Sequence, residues 1–248
     1  MATAQVPDVR GYKRIVFFTG AGMSAESGVP TYRGKGGIWK EYDYDNCACQ
    51  EAFDRDPEYV WEFHNYRREL VAKCSPNAGH EWIARCEREL DAHVTVVTQN
   101  IDGLHQVAGS ERVVELHGSL WRVRCDRCGW VETDRAAPLE QLRCPKCAAA
   151  GRESYKRPDI VWFGDQLAER SLIAVQEALT RCDLLISVGT SAVVYPAAQM
   201  PLIAKRGGAL LVEVNPEDTP LSDVYDVAIR APATRALAAM CGGLDEAS

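Results

Sequence analysis

Short apolar runs rich in β-branched residues alternate with amphipathic stretches along most of the chain. The apolar runs predict six strands, at residues 14–19, 93–98, 113–116, 184–188, 209–214 and 227–229. Apolar residues at helical spacing predict helices over residues 56–73, 77–90 and 234–240. Strands that alternate with helices are typical of an α/β fold with a doubly wound parallel sheet.

A glycine turn follows the first predicted strand. Gly20, Gly22 and Ala25 match the G-x-G-x-x-G/A spacing, in which glycines let a pyrophosphate approach the backbone at a helix N-terminus. An ordinary tight turn between a strand and a helix would also have this spacing. The acidic residue that usually ends a second strand about 20 residues later is missing, because no strand precedes Glu41. We therefore expect a phosphate site whose first crossover carries a lid and a helical insertion, residues 35–92.

Polar residues directly follow four of the predicted strands. They occupy positions 99–102, 117, 189–191 and 215–217. Ligands of open parallel sheets bind beyond the carboxyl ends of the strands, so these positions predict a binding site at one edge of the sheet. His117 is a candidate general base because imidazole titrates near neutral pH. The alternative is a structural histidine.

Four of the ten cysteines form the pattern C-x2-C-x15-C-x2-C: Cys125, Cys128, Cys144 and Cys147. Four thiolates at this spacing are typical of a tetrahedral zinc site, and with every position filled by sulfur the metal is structural. Two redox dithiols are the alternative. The pattern predicts a small zinc module, residues 119–159, inserted after the third strand.

Composition limits the function further. The chain is 46% hydrophobic and 25% charged, which indicates an ordinary globular protein and excludes extensive disorder. A net charge of -7 makes nucleic acid an unlikely partner, and no apolar run approaches the length of a membrane helix. The scattered cysteines and the lack of a signal-peptide pattern predict a cytoplasmic location.

Motifs along nearly the whole chain resemble those of the sirtuin family. They are GAGMSAESGVPTYRG at 20–34, TQNIDGLH at 98–105, ELHGS at 115–119, the four cysteines, VWFG at 161–164, GTS at 189–191 and VNPE at 214–217. The run GVPTYRGKGGIW resembles the class III, desuccinylase-like branch of that family.

The resemblance implies an NAD-dependent protein-lysine deacylase. Such an enzyme removes acetyl, succinyl or malonyl groups from the lysines of its protein substrates and releases nicotinamide and O-acyl-ADP-ribose. It also implies one catalytic domain, 1–248. Within it we expect a Rossmann-like NAD-binding core (13–34, 93–118 and 160–240), the lid and helical insertion and the zinc module.

The resemblance assigns roles to individual residues. His117 would be the general base, with Asn100 and Asp102 beside the nicotinamide. The implied cofactor contacts are Gly20, Ala21, Gly22, Ser24, Ala25, Tyr32, Arg33, Trp39, Gln99, Asn100, Ile101, Asp102, Gly189, Thr190, Ser191, Asn215, Pro216, Glu217 and Ala228. Val161, Trp162, Phe163 and Gly164 would pair as a strand with the substrate peptide.

The sequence departs from the class III pattern at one position. That branch carries Tyr-x-x-Arg on the helix after the lid, where the arginine binds the carboxylate of an acidic acyl group. Here the positions are His64 and Arg67. We expect Arg67 to bind a carboxylate, and a protonated His64 to assist it as pH falls toward 6. The alternative for Arg67 is a solvated charge on the helix surface.

Three other functions share some of these features. An NAD-dependent deacetylase without acidic-acyl preference would have the same core. A dehydrogenase with structural zinc would share the glycine turn and the cysteines. A non-catalytic zinc-ribbon binding module would place its basic residues near the cysteines, but the net charge and His117 disfavour it.

Overall fold

The computed structural model describes residues 7–31 and 44–241. The strands are β1 (Arg14–Thr19), β2 (His93–Thr98), β3 (Val113–Glu115), β4 (Gly118–Arg124), β5 (Val131–Thr133), β6 (Arg157–Ile160), β7 (Leu184–Val188), β8 (Leu210–Val214) and β9 (Val227–Ile229). Six of them form a parallel sheet in the order β3-β2-β1-β7-β8-β9. This is the doubly wound α/β fold that the sequence predicts.

The helices flank the parallel sheet, fill the crossover after β1 or, for α7, lie between β5 and β6. They are α1 (Ala21–Ser24), α2 (Tyr44–Cys47), α3 (Gln50–Arg55), α4 (Pro57–Val71), α5 (Ala78–Glu89), α6 (Leu104–Val107), α7 (Pro145–Ala149), α8 (Glu169–Arg181), α9 (Pro201–Arg206) and α10 (Ala233–Cys241). None of the helices in the described part of the chain is both long and apolar enough to cross a bilayer.

Both faces of the parallel sheet are apolar. Along β1, Ile15 and Phe17 pack into the core cluster shared with α5 and α10, whereas Val16 and Phe18 pack into the cluster shared with α8 and α9. Alternate side chains of a strand point to opposite faces, so a fully apolar strand needs helices on both sides. The strand order reverses between β1 and β7, which opens a crevice at their carboxyl ends.

The predicted helix starts agree with local capping. Asp56 accepts a hydrogen bond from the Tyr59 amide at 3.0 Å, and Pro57 occupies the first turn of α4. Asn77 caps α5 by accepting from the Gly79 amide at 2.9 Å. Cap residues satisfy amides that have no partner within the helix, which is why both starts are readable from sequence.

Strands β4, β5 and β6 form a separate antiparallel sheet in the order β5-β4-β6. With α7 they make up the zinc module, and its boundaries 119–159 fall within one residue of the ends of β4 and β6. Helix α4 binds to this module through the backbone: Arg68 donates to Leu120 O at 2.6 Å and to Ala136 O at 2.7 Å. Asn65 also pairs with both backbone groups of Leu139.

Two short segments follow strands near the parallel sheet. The segment after the glycine turn is a four-residue helix followed by a 3-10 turn (Ala25–Ser27), which Gly28 ends with a φ of 87°. Residues 161–164 follow β6 as irregular chain and a turn, and their pairing with a substrate peptide stays a prediction. The predicted lid lies largely outside the described residues, and so do Tyr32, Arg33 and Trp39.

Candidate active site

A cavity of about 990 Å³ runs along the carboxyl edge of the parallel sheet. It is lined by segments that follow β1, β2, β3, β6, β7 and β8, together with α4 and the start of α10. Residues that follow six strands, with residues of two helices, therefore line one cavity, as the polar residues after the strands predict. A cavity of this size holds a dinucleotide-sized ligand or several smaller groups.

Gly20 and Gly22 after β1 contact Gly189 after β7, and this contact between two chain segments is called the glycine crossing below. The Gly20 amide donates to Val188 O at 3.0 Å, and the Gly22 amide donates to Gly189 O at 2.8 Å. A Cβ on Gly20 would lie 2.8 Å from Gly189 O, and a Cβ on Gly189 would overlap the Met23 amide. Only glycine allows the two chain segments to approach this closely, and all three glycines line the cavity.

Asn100 connects the glycine turn to the end of β2. Its Nδ2 donates to Gly20 O at 2.9 Å and to Ser24 Oγ at 3.2 Å, and its amide donates to Thr98 Oγ1 at 3.0 Å. Asn100 is 7% exposed and lines the cavity. Three hydrogen bonds therefore fix the orientation of Asn100 before any ligand binds.

Asp102 and Ser24, which the sequence places in contact with the cofactor, do not line the cavity. Ser24 Oγ donates to Asp102 Oδ2 at 2.7 Å, and the Leu104 amide donates to Asp102 Oδ1 at 2.9 Å. Burial nevertheless raises the pKa of the Asp102 carboxyl above its usual value. Ser24 Oγ in turn accepts from Asn100 Nδ2 at 3.2 Å, so a chain of hydrogen bonds joins Asp102 through Ser24 to Asn100 at the cavity wall, and direct contact of Ser24 and Asp102 with a cofactor stays a prediction.

His117 follows β3 and lines the cavity. Its Nδ1 lies 3.0 Å from Gln99 O. Because a carbonyl only accepts, Nδ1 carries the proton, and Nε2 is the nitrogen that can take one up. Burial lowers the pKa of His117 below 6.5, against the smaller opposing effect of the Gln99 hydrogen bond. The ring is therefore neutral near pH 7, as a general base requires.

Thr190 joins the two halves of the cavity. Its Oγ1 accepts from Gln99 Nε2 at 3.1 Å, and its carbonyl accepts from Asn215 Nδ2 at 2.9 Å. Asn215 and Glu217 line the cavity beside it. The sequence-predicted residues after β2, β7 and β8 are thus brought together by direct hydrogen bonds, although about 90 residues separate Gln99 from Thr190.

Ala228 does not line the cavity. It lies in the middle of the edge strand β9 and is exposed. Pro232 and Ala233, beyond the end of that strand, line the cavity. Contact between Ala228 and the cofactor stays a prediction.

At the other end of the cavity, α4 contributes His64 and Arg67. His64 is fully buried, and its Nε2 accepts from Trp162 Nε1 at 3.2 Å. Burial, with Arg67 and Arg157 close by, lowers the pKa of His64 well below 6.5. The backbone of Cys47 opposes this shift too weakly to reverse it. The expectation that His64 becomes protonated between pH 8 and pH 6 is therefore wrong.

Arg67 is 5% exposed and lines the same end of the cavity. This contradicts the alternative reading of a solvated surface charge. Val161, Trp162, Phe163 and Gly164 also line the cavity. The amides of the first three donate within the protein, to His117 O, Asp165 Oδ2 and Ala48 O. Those three groups are therefore not available for strand pairing with a peptide.

Comparison with known proteins identifies the chain. A profile described as the Sir2 family matches residues 20–196. The NAD-dependent protein deacylase of Aquifex aeolicus (strain VF5) is 45% identical over 223 residues, which cover 90% of this chain and 92% of that protein. The chain belongs to the Sir2 family.

Other relatives of this Sir2 protein agree with the predicted family and branch. The mitochondrial NAD-dependent protein deacylase sirtuin-5 of Canis lupus familiaris is 42% identical over 244 residues, covering 89% of this chain and 78% of that protein. A crystal structure of a Sir2 homolog–NAD complex is similar with a TM-score of 0.88 at 41% identity, covering 96% of this chain and 92% of that one. An ADP-ribose complex of a Sir2 homologue mutant reaches a TM-score of 0.90 at 40% identity, with coverages of 96% and 94%.

The four predicted cysteine ligands of the Sir2 protein come together in the zinc module. All four sulfur atoms lie within 4.8 Å of one another. Cys125 and Cys147 are 3.7 Å apart at sulfur, and Cys128 and Cys144 are 3.6 Å apart. Tetrahedral zinc with Zn–S bonds of about 2.3 Å requires sulfur atoms about 3.8 Å apart, so the cluster fits a structural zinc ion. Redox dithiols would instead pair within each C-x2-C unit.

Sequence reasoning missed several cavity residues of the Sir2 protein. They lie in loops and on helix faces and are mostly apolar, namely Phe63, Leu167, Leu172, Val194, Tyr195, Asp218 and Thr219. Tyr195 is 70% exposed and Leu172 is 39% exposed. Neither belongs to a short motif, and an isolated apolar residue in a sequence gives no signal that separates a ligand contact from a core position.

Proposed function

We propose that this Sir2-family protein is an NAD-dependent protein-lysine deacylase. The observation that carries the proposal is one continuous cavity that joins the glycine crossing, the neutral His117 and the buried Arg67. A dinucleotide phosphate site, a proton acceptor and a side-chain pocket are the parts that acyl transfer from lysine to NAD needs. The deacylase names of the curated relatives support the same reaction.

NAD supplies the ribose carbon that accepts the acyl oxygen as nicotinamide leaves. Gly20 and Gly22 would hold the pyrophosphate, and Asn100, whose side chain is held by Gly20 O, would face the nicotinamide end. His117 Nε2 takes the proton from a ribose hydroxyl, while its Nδ1–H stays bound to Gln99 O. The deprotonated ribose hydroxyl would attack the acyl carbon, and one water molecule would then add to it as the bond to the lysine nitrogen breaks, so that free lysine leaves with the acyl group on ADP-ribose.

The proposal is tested by incubating the protein with NAD and an acyl-lysine peptide. We expect one nicotinamide released for each lysine deacylated, with mass spectrometry showing O-acyl-ADP-ribose. Formation of reduced NAD without release of nicotinamide would indicate the dehydrogenase alternative. Zinc-dependent binding of the peptide without release of nicotinamide would indicate the non-catalytic zinc-ribbon module. The cytoplasmic location and the lack of a nucleic-acid partner stay predictions.

Among acyl groups, we propose that the pocket accepts acidic ones. Arg67 is a buried guanidinium at the end of the cavity that α4 lines, and a buried cation favours a carboxylate over a neutral group. His64 stays neutral there, so it adds no charge. A deacetylase without this preference remains the alternative, since acetyl-lysine would occupy the same cavity without reaching Arg67.

Changing Arg67 to Met is expected to raise the KM for succinyl-lysine about tenfold to a hundredfold, because a charge-assisted hydrogen bond of ~1.5–3 kcal/mol is lost. Deacetylation should change less than about threefold, since an acetyl group has no carboxylate to lose. The measurement is the ratio of kcat/KM for succinyl and acetyl forms of one peptide. Because His64 is neutral, this ratio should not rise as pH falls from about 8 to 6.

Arg181→Met is the matched control. Arg181 lies on α8 with a side chain 63% exposed and forms an ion pair with Glu177 on the same helix. Its loss should leave both acyl activities unchanged. Equal slowing of acetyl and succinyl substrates by Arg67→Met would show that α4 carries no acyl selectivity, and the chain would then be a general deacetylase.

A further inference from the structure

A buried carboxylate in β8 has no part in the proposed chemistry. Glu213 is 1% exposed and lies two residues before Asn215. It accepts hydrogen bonds from Thr219 Oγ1 at 2.7 Å, from Ser222 Oγ at 2.6 Å and from Arg230 Nη1 at 2.8 Å. Burial of a carboxylate costs free energy unless hydrogen bonds and a cation compensate for the lost water. These three partners make Glu213 the centre of a hydrogen-bond network.

The partners of Glu213 belong to two separate segments. Thr219 and Ser222 lie in the loop after β8, whereas Arg230 directly follows β9. Arg230 also donates to Asp218 Oδ1 through Nε at 2.9 Å and to Ser222 Oγ through Nη2 at 3.0 Å. One carboxylate thus holds the loop after β8 and the chain after β9 in a single arrangement.

Both segments line the cavity. Asp218 and Thr219 do so from the loop after β8, and Pro232 and Ala233 do so just beyond Arg230. Glu213 itself does not line it. Four strand spacings separate β8 from β3, and His117 follows β3, so this end lies roughly 19 Å from the base at ~4.8 Å per strand.

We propose that Glu213 is a positioning residue for the adenosine half of the NAD site. The inference rests on the proposed function, since it assumes that NAD fills this end of the cavity. Glu213 acts through the loop after β8 and through Arg230, which shape the walls that the adenosine would contact. Its loss should weaken binding of NAD and ADP-ribose and leave the acyl pocket and His117 unaffected.

Glu213→Gln tests the proposal with the least change of shape. Glutamine keeps one acceptor oxygen but loses the ion pair, and Arg230 is left with Asp218, whose side chain is 84% exposed. We expect the Kd for ADP-ribose, measured by calorimetry, to rise about tenfold, the scale of a lost charge-assisted hydrogen bond. The KM for NAD should rise in proportion, with kcat at saturating NAD and the KM for the acyl peptide within about twofold.

Two further variants complete the experiment. Ser222→Ala removes one donor to Glu213 from a half-buried loop position outside the cavity lining, and should raise the same Kd about threefold. Asp226→Asn is the matched control, because Asp226 also accepts from β8, at the Leu211 amide, but does not line the cavity. The Kd of the Asp226→Asn variant for ADP-ribose should equal that of the wild type.

The outcomes separate the inference from the proposed function. A wild type that neither binds ADP-ribose nor releases nicotinamide overturns the proposed function. A normal wild type with Glu213→Gln and Ser222→Ala indistinguishable from Asp226→Asn overturns the positioning role alone. A rise in the KM for the acyl peptide equal to that for NAD also overturns it, since a general loss of structure would affect both. If Glu213→Gln does not fold, Ser222→Ala decides.

Discussion

His117→Asn is expected to lower kcat for deacylation by about a hundredfold to ten-thousandfold, the range for loss of a general base. Asparagine can still donate to Gln99 O in place of the Nδ1–H, so the end of β2 should keep its position. It cannot take up a proton, so only the step on the ribose hydroxyl is lost. The measurements are kcat on one acyl peptide and the Kd for ADP-ribose, which should change less than about threefold.

The pH profile of the wild type supplies a second test of His117. Burial lowers its pKa below 6.5, so the base form persists below that pH and is lost only as pH falls through the lowered value. The acidic limb of kcat/KM should therefore lie below pH 6.5. His93→Asn, at an exposed position at the start of β2, is the control and should leave the profile unchanged. A His117→Asn variant with most of its turnover would refute the assignment.

Cys144→Ser is expected to release zinc and to unfold the zinc module. Cys144 is 1% exposed, and its sulfur lies 3.6 Å from that of Cys128. Four-thiolate zinc contributes folding energy directly, with apparent values of ~10–16 kcal/mol in small zinc domains, so its loss exceeds the stability of most domains. We expect less than about 0.2 zinc per chain by elemental analysis and a fall of more than about 10 °C in Tm.

The effect should spread from the zinc module to the acyl end of the cavity. Arg68 of α4 binds the backbone of the module at Leu120 and Ala136, and Arg67 on the same helix lines the cavity. We therefore expect deacylation to be lost. Binding of ADP-ribose should be weakened less, because the glycine crossing lies at the carboxyl edge of the parallel sheet and not in the zinc module. Activity should be lost through structure, since zinc with four sulfur ligands has no site for water.

Cys182→Ser is the control for the zinc prediction. Cys182 is buried in the core of the parallel sheet and donates to Leu179 O at 3.3 Å, a hydrogen bond that serine can keep. This variant should retain zinc and activity. Wild-type protein with well under one zinc per chain, or a Cys144→Ser variant with unchanged zinc content, would contradict a structural site.

Features that depend on neighbouring residues were predictable from the sequence alone. Apolar runs predict the strands because burial on both faces leaves no polar alternation, and all six strands of the parallel sheet agree with the prediction to within one residue. The cap residues Asp56 and Asn77 mark helix starts because a cap satisfies amides within three residues. The C-x2-C spacing predicts the zinc site because a knuckle holds two sulfur atoms close together.

Features that depend on burial and on distant partners were decided only by the tertiary structure. His64 reads as a titratable group in the sequence, but Trp162, 98 residues away, and full burial keep it neutral. Arg67 has the sequence context of a solvated helix charge, but folding buries it to 5% exposure at the cavity. Glu213 looks like any residue of a short strand until folding brings Arg230 and the loop after β8 to its carboxylate. Desolvation and long-range hydrogen bonds have no period or spacing along the chain, so no local pattern reports them.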